Sequence, residues 1–252
     1  IVLWSKNYAP FIRSGAADSL KSMGYHLFFN FTVNTENRLL EPHVPSLDQR
    51  LKQMEALVRT EGPDAVAWRF DPVCFYTLDP DQSIRNTLGD FRRIADRASD
   101  LGMTTCITSF LDPYTKIRRR LDRIRKTGQP APDFIDPPVK QKIKVTKAMA
   151  RLLEQRDITL ALCCEKTVFD RLPFTHNLVQ SACVDGMRLN RLFGGSPDAR
   201  KDTGQRRALG CRCTRSVDIG SYRHHPCRHD CLFCYASPAM DQKRKQNRSR
   251  KG

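Results

Sequence analysis

The sequence of 252 residues has no uninterrupted apolar stretch that approaches the roughly 20 residues needed by a membrane-spanning helix. It also has no recognisable secretory leader. Acidic side chains are scarce, with 27 against 43 basic ones, which leaves a net charge of +16. These absences exclude an integral helical membrane protein, and they predict a cytoplasmic chain without a membrane partner that attracts phosphates or other anions.

Ten cysteines stand out in this composition. Dense cysteine predicts a disulfide framework in short secreted chains that lack a core, but this chain is long enough to bury one, so close spacing favours metal binding. Cys74 and Cys106 lie inside apolar strand-like runs. We expect these two only to pack in the core, because a free cysteine often behaves as a small hydrophobic residue.

The domain organisation follows from composition. Hydrophobic residues at 40% and charged residues at 28% are typical of a globular domain. We expect a single domain over 1–236 that includes a cysteine-rich segment at 211–236, followed by a basic disordered tail at 237–252. The opening string IVLWSKN lies within an apolar run, which predicts that the sequence is a fragment lacking an N-terminal segment.

Short β-rich runs alternate with segments of helical periodicity. In 46–60, for example, Leu47, Leu51 and Met54 recur at helical spacing. This alternation predicts an α/β fold with parallel strands and outer helices, and six strands predict a partial TIM-like (β/α) barrel. The predicted strands are 1–5, 25–33, 64–72, 103–110, 157–163 and 216–222, and the predicted loops are 127–138 and 194–210.

Polar side chains follow several of these runs, and the C-terminal ends of parallel strands carry the chemistry in such folds. Arg69 and Asp71 end the third run, while Ser109 and Glu165 end the fourth and fifth. We therefore predict that these four residues line a catalytic pocket. The alternative is that they are turn formers and helix caps.

Three cysteines, Cys227, Cys231 and Cys234, stand in the string CRHDCLFCYA. Thiolates are the usual ligands of iron–sulfur clusters, and this close spacing lets one loop wrap around a cluster face. Three ligands leave one iron of a 4Fe-4S cluster open for chemistry. Zinc is the alternative metal, although structural zinc sites normally combine two paired ligand clusters.

The same string resembles the signature of radical S-adenosylmethionine (SAM) enzymes, and CLFCYA is similar to the spore photoproduct lyase branch. The resemblance implies a 4Fe-4S cluster, SAM as cosubstrate and an electron donor such as flavodoxin or ferredoxin. In most such enzymes the loop follows the first barrel strand, so 216–222 would take that part in a circularly permuted barrel. The sequence has no Gly-Gly-Glu segment of the kind that holds the SAM amino group in ordinary members.

A longer resemblance runs through the strings LWSKN, FNFTVN, LEPHVPSLDQRL, GPDAVAWRFDP, SFLDPYTK and GCRCTRSVDIGSYRHHPCRHDCLFCYA. Together they resemble the bacterial family DUF1848, a domain of unknown function, over nearly all of 1–236. Members carry the cysteine loop at the C-terminus and usually have an additional N-terminal strand, which is absent here.

Further cysteines predict a second metal site. Cys211 and Cys213 form a C-x-C pair, while Cys163 and Cys183 match cysteines of the resembling family that precede an acidic residue. Four thiolates suffice for either a second iron–sulfur cluster or a structural zinc. Cys164 is a less suitable ligand than Cys163, and the alternative for all of them is simple burial.

The segment 114–126, YTKIRRRLDRIRK, is strongly cationic. Because spore photoproduct lyase acts on DNA, a basic face beside a similar loop predicts nucleic-acid binding of salt-sensitive affinity. The alternative is a solvated helix face. The sequence thus predicts a radical-SAM-like enzyme of unknown substrate, with a non-catalytic iron–sulfur or zinc protein, for nucleic-acid binding or redox sensing, as the rival.

Overall fold

A computed structural model describes residues 1–78, 83–173, 177–196, 198, 200–221 and 224–236, so the predicted basic tail lies outside the described residues. In chain order the strands are β1 (Val2–Ser5), β2 (Phe28–Thr32), β3 (Val66–Val73), β4 (Phe75–Thr77), β5 (Arg85–Asn86), β6 (Thr105–Phe110), β7 (Asp133–Ile135), β8 (Thr159–Leu162) and β9 (Leu178–Gln180). The helices are α1 (Ala9–Ser14), α2 (Ala16–Ser22), α3 (Leu47–Glu61), α4 (Phe91–Asp100), α5 (Thr115–Arg125), α6 (Val139–Glu154), α7 (Lys166–Phe169) and α8 (Gly186–Phe193).

Six strands form one parallel sheet in the order β1-β2-β3-β6-β8-β9. Five of the six predicted strands are therefore confirmed, as is their parallel arrangement. Neighbours in the sheet follow the order of the chain, so every carboxyl end lies at the same edge. In the described residues β1 and β9 are not paired with each other, and no closed barrel is present.

Each face of the sheet packs against its own apolar layer. One face buries a large aromatic core that includes Phe29, Phe31, Trp68 and Phe70, in contact with α3, α4 and α6. Burial of each such ring contributes about 1.5–3 kcal/mol relative to exposure. The opposite face carries Phe28, Ala67 and Ile107 and meets α8.

Helix α3 shows how local sequence places these layers. Ser46 caps it with a capping box, in which the Ser46 hydroxyl accepts from the Gln49 amide and the Gln49 side chain accepts from the Ser46 amide. The helix buries Met54 and Leu57 against the sheet. It ends at Gly62, whose φ of 86° is accessible to glycine at little cost.

A small antiparallel sheet of order β5-β4-β7 lies after β3. Its strand β7 falls inside 127–138, so the prediction of a loop over that whole range is wrong. The Pro and Gly residues of this range predicted an irregular loop. In the structure, three of its residues instead pair with β4, beginning opposite Phe75. In the predicted loop 194–210, the described residues contain only one turn of 3₁₀ helix, at Arg207–Leu209.

The predicted strand 216–222 is wrong over the residues that the structure describes. Residues 216–221 belong to no strand, and Val217 and Ile219 are 85% and 82% exposed. The alternation of apolar residues predicted a strand, but the described residues 216–221 pair with neither sheet. The sixth strand is instead β9, which the sequence analysis missed. The hypothesis of a circularly permuted barrel assigned 216–222 as its first strand, so the structure removes the basis of that hypothesis.

No helix within the described part of the chain combines the length and apolar character needed to cross a membrane. Cys74 and Cys106 are fully buried in the apolar layers, as expected from their strand positions.

Candidate metal centres at the carboxyl edge of the sheet

The cysteine loop 227–234 lies beyond the carboxyl ends of β1 and β2, next to the connection that leads from β2 to α3. The Leu232 amide donates to the Leu40 carbonyl at 2.9 Å, and the His43 amide donates to the His229 carbonyl at 3.4 Å. Leu232 and Phe233 are buried in an apolar cluster with Leu40. The loop is thus bound to the sheet edge by packing and backbone hydrogen bonds, although the described residues 216–221 before it form no strand.

A buried arginine from α5 holds the loop from behind. The Arg120 guanidinium donates to the carbonyls of Leu232 and Cys234, each at 2.8 Å, and more weakly to that of Cys231 at 3.5 Å. Arg120 is 1% exposed. It therefore contributes nothing to the basic face predicted for 114–126, and its role is to fix the shape of the loop.

A second buried cation faces the loop from the end of β1. Lys6 pairs with Glu41, which is 4% exposed, and its ammonium lies 5.2 Å from the centre of the Phe233 ring. Glu41 Oε1 is 3.9 Å from the Cys231 sulfur. Burial raises the pKa of Cys231 to about 12, although Lys6 acts in the opposite direction. The free thiol is consequently neutral, and a metal would have to displace its proton.

Cys227 and Cys234 are half-buried on either side of the buried Cys231. Both act electrostatically on the Cys231 thiol, which places the three sulfurs in one neighbourhood. Throughout the described residues, however, no group of three or more His, Cys, Asp or Glu side chains is arranged so that it could hold a metal ion as it stands. The donor set fits a thiolate-bound metal chemically, and binding requires the thiols to turn toward a common point.

Three of the four predicted pocket residues form one polar network. Arg69 Nη2 donates to Asp71 Oδ2 at 2.6 Å, and the Ser109 hydroxyl donates to Asp71 Oδ1. The Asp71 amide in turn donates to Asn34 Oδ1 at 2.8 Å. Since Arg69 is 6% exposed, this network is fixed at the edge of the sheet.

Glu165 is not part of that network. Its Oε1 accepts a hydrogen bond from the Phe110 amide at 2.8 Å. Burial raises the pKa of Glu165 to about 7, although the Phe110 amide lowers it. The side chain connects the end of β6 to the start of α7, which is a structural contact at the same edge.

Three members of the second predicted cysteine group lie close together. The Cys163 and Cys183 sulfurs are 3.4 Å apart, and the Cys183 amide donates to the Cys213 sulfur at 3.2 Å. Hydrogen bonding to Cys163 and to Cys213 lowers the pKa of Cys183. Arg69 Nη1 lies 3.0 Å from the Cys183 sulfur, so the guanidinium joins this group to the polar network.

Cys164 also belongs to this neighbourhood. Its sulfur is 3.8 Å from that of Cys163, and its φ of 59° lies in the left-handed region. Hydrogen bonding to Cys163 lowers the pKa of Cys164 to about 7, with smaller effects from Arg206 and Cys211. Cys164 thus lies beside the predicted set, in contact with Cys163.

An aromatic and cationic bridge connects the two cysteine groups. Tyr235, directly after Cys234, lies 6.2 Å from Tyr114 between ring centres. The Tyr114 hydroxyl accepts from Arg206 Nη1 at 2.6 Å, and Arg206 also pairs with Asp112. Through these contacts Tyr235, at the end of the loop, is linked to Arg206 and Asp112, and Arg206 also lowers the pKa of Cys164.

A family model described as "Domain of unknown function (DUF1848)" matches residues 1–236. The chain belongs to this family. No curated protein matches the DUF1848 chain. Among solved structures, it is similar to a D-hydantoinase from Bacillus sp. AR9, with 12% identity and a TM-score of 0.31 over 60% of this chain and 30% of that one. It is also similar to a β-arabinopyranosidase, with 14% identity and the same TM-score over 64% of this chain and 22% of that one. The DUF1848 chain thus spans less than a third of the length of either.

Sequence reasoning missed three charged residues of this DUF1848 site. Arg120 stands among several other arginines, so its basic neighbours did not distinguish it. Its position on the helix could have done so, because it shares the apolar face formed by Ile117, Leu121 and Ile124, and a residue on that face is expected to be buried. Glu41 and Arg206 carry no comparable local pattern. Their positions depend on contacts that are distant in sequence, with Lys6 and Asp112 respectively.

Proposed function

We propose that the DUF1848 chain binds a 4Fe-4S cluster through Cys227, Cys231 and Cys234 and acts as a radical-SAM-like enzyme on an unidentified substrate. The observation that carries this proposal is the placement of the loop at the carboxyl edge of a parallel sheet, where such folds concentrate their chemistry. When bound, a cluster with three protein thiolates has one open iron, which can bind SAM and supply it with an electron.

The chain's own residues would hold this cluster and compensate its charge. Arg120 presents the loop by binding its backbone carbonyls, so it does not occupy the cysteine sulfurs that would bind the metal. Lys6 lies close enough to Cys231 to affect its titration, so its ammonium would stabilise a bound thiolate. The buried environment would exclude water from a reactive intermediate.

The polar network supplies candidate substrate contacts. Arg69, Asp71 and Ser109 offer donors and an acceptor at the same edge as the loop. In this proposal Arg69 and Asp71 orient the substrate, and Ser109 fixes the carboxylate. Glu165 is a supporting residue, because its carboxylate is bound to the Phe110 amide.

The sheet supports a partial barrel as part of the same proposal. Six parallel strands in sequential order are the arrangement of an opened (β/α) barrel. Its inner face would carry Asn30, Arg69 and Ser109. Asn30 Oδ1 is a buried acceptor without a hydrogen-bond partner, and a polar group from a substrate or from an added strand would satisfy it.

Anaerobic reconstitution followed by SAM cleavage tests the proposal. The electron can come from a strong chemical one-electron reductant or from reduced flavodoxin or ferredoxin. With either source, the reconstituted protein should release deoxyadenosine from SAM. Cys231→Ala should abolish both the loop-bound iron and the activity. Cys74→Ala is the matched control, because Cys74 is buried in the same apolar cluster but lies outside the loop. Equal activity in both variants, or a loop that retains only zinc, would contradict the proposal.

The rival is a non-catalytic iron–sulfur or zinc protein with a nucleic-acid-binding or redox-sensing role. It predicts a cluster or zinc ion without SAM cleavage, which agrees with the absence of a Gly-Gly-Glu segment. A bound cluster that is indifferent to SAM would therefore favour the rival.

A further inference from the structure

A second group of thiols lies apart from the 227–234 loop. The distances between its sulfur atoms help to distinguish a site for one metal ion from a site for an iron–sulfur cluster. The Cys163 and Cys183 sulfurs are 3.4 Å apart, and the Cys213 sulfur accepts from the Cys183 amide at 3.2 Å. Cys211 stands two residues before Cys213 in the C-x-C pair, so its side chain belongs to the same short segment. These residues come from the end of β8, the connection after β9 and the segment before 214.

We infer that Cys163, Cys183, Cys211 and Cys213 bind one tetrahedral metal ion of the zinc class, not a second iron–sulfur cluster. This inference is independent of the proposed function, since it concerns a different set of cysteines.

The geometric reason is the distance between sulfurs. In a tetrahedral site with metal–sulfur bonds of about 2.3 Å, neighbouring sulfurs stand about 3.8 Å apart. The observed 3.4 Å between Cys163 and Cys183 is close to that edge length. In a 4Fe-4S cluster each thiolate binds a different iron, so the ligand sulfurs stand farther apart than the irons do. Thiols in mutual contact therefore suit a single ion. Because no three of the described side chains already surround a metal position, binding requires the thiols to rotate toward the ion.

Charge compensation supports the same assignment. Four thiolates around a divalent ion carry a net charge of −2, and a buried site needs cations nearby. The Arg69 guanidinium, which is buried, donates to the Cys183 sulfur at 3.0 Å, so one such cation is already present at the site.

The ion would fasten an irregular segment to the sheet. Residues 200–214 include an isolated β-bridge between Lys201 and Thr214, and the Thr214 amide donates to the Val184 carbonyl at 2.9 Å. A metal that joins Cys213 to Cys163 would fix this segment to the end of β8. The chain continues from it to the 227–234 loop, so the ion would also limit where that loop can lie.

Metal analysis of the whole chain tests this inference. In the Cys227→Ala/Cys231→Ala/Cys234→Ala variant, one zinc ion per chain should remain after extensive dialysis, without stoichiometric iron and sulfide. X-ray absorption at the zinc edge should show four sulfur neighbours and no second metal. Iron with sulfide in this variant, or a chain that binds no metal, would overturn the inference.

Single substitutions test the ligand set. Cys213→Ala and Cys211→Ala should each cause loss of the zinc, whereas Cys164→Ala should retain it, although Cys164 is only one residue from a ligand. Cys106→Ala controls for removal of a buried thiol outside the site. Cobalt substitution of the otherwise unaltered chain, read by the absorption bands of tetrahedral cobalt thiolate, does not depend on whether a variant folds. Loss of metal in Cys164→Ala with retention in Cys211→Ala would overturn the assignment.

Discussion

Replacement of Arg120 by methionine should release the cysteine loop from the sheet. The substitution keeps much of the aliphatic volume but removes the two 2.8 Å hydrogen bonds to the carbonyls of Leu232 and Cys234. Hydrogen bonds to a charged group contribute about 1.5–3 kcal/mol each. The loop carbonyls would also lose their partner in a buried setting, so we expect a total cost of about 3 kcal/mol or more.

The cost should be visible as local opening. Because 1.4 kcal/mol corresponds to a factor of ten, a loss of about 3 kcal/mol raises the open population roughly a hundredfold. Hydrogen exchange of the Leu232 amide, which donates to the Leu40 carbonyl, should accelerate by that factor. Iron loading during anaerobic reconstitution should fall in parallel, since the three cysteines would no longer be held together.

Arg119→Met is the matched control, because Arg119 is the adjacent residue of α5 and is exposed. It makes the same change in charge and should leave loop exchange and iron loading near those of the unaltered chain. If Arg120→Met behaves like Arg119→Met in both measurements, Arg120 does not position the loop and the reasoning is wrong.

Three further predictions concern the sheet edge and its supports. Lys6→Met should lower the free energy of unfolding by about 3–5 kcal/mol in urea titrations, because it leaves Glu41 charged and buried, whereas Lys6→Met/Glu41→Met should recover most of that loss. A double variant no more stable than the single one would contradict the buried pair. Ser46→Ala should cost about 1 kcal/mol by the same measurement, through loss of the capping box on α3; an unchanged midpoint would refute it. Arg69→Lys should weaken retention of the second metal ion, as measured by competition with a chelator. The reason is that a single ammonium cannot contact both Cys183 and Asp71, as the planar guanidinium does. Unchanged metal retention would count against this contact.

Much of the parallel sheet could be predicted from the sequence, because its buried strands are continuous apolar runs. The run that contains Phe29 and Phe31 is an example, since both faces of β2 are covered. Strand β9 could not be recognised, as its three residues Leu178–Gln180 carry too short a pattern. Val217 and Ile219 caused the opposite error, the prediction of a strand that is not there. Their alternation is typical of a strand, but both side chains are exposed and do not pack against a sheet.

Sequence reasoning reached those candidate residues whose chemistry is local in sequence. Spacing alone drew attention to Cys227, Cys231 and Cys234, whose role as ligands stays a prediction, and strand ends drew attention to Arg69 and Asp71, which the structure places in contact. The contacts among these residues are set by packing between distant segments, as shown by Glu41, which reaches Lys6 across 35 residues. Cys164 shows the same limit, since its approach to the second group depends on a left-handed backbone conformation at that residue.

The most direct test of the central claim is the electron paramagnetic resonance spectrum of the reduced cluster in the full-length protein, recorded with and without saturating SAM. If Cys227, Cys231 and Cys234 leave one iron open, SAM should bind that iron and change the spectrum. The change should be absent in Cys231→Ala and present in Cys74→Ala. An intact cluster whose spectrum is the same with and without SAM would contradict the radical-SAM-like function and favour a non-catalytic iron–sulfur protein.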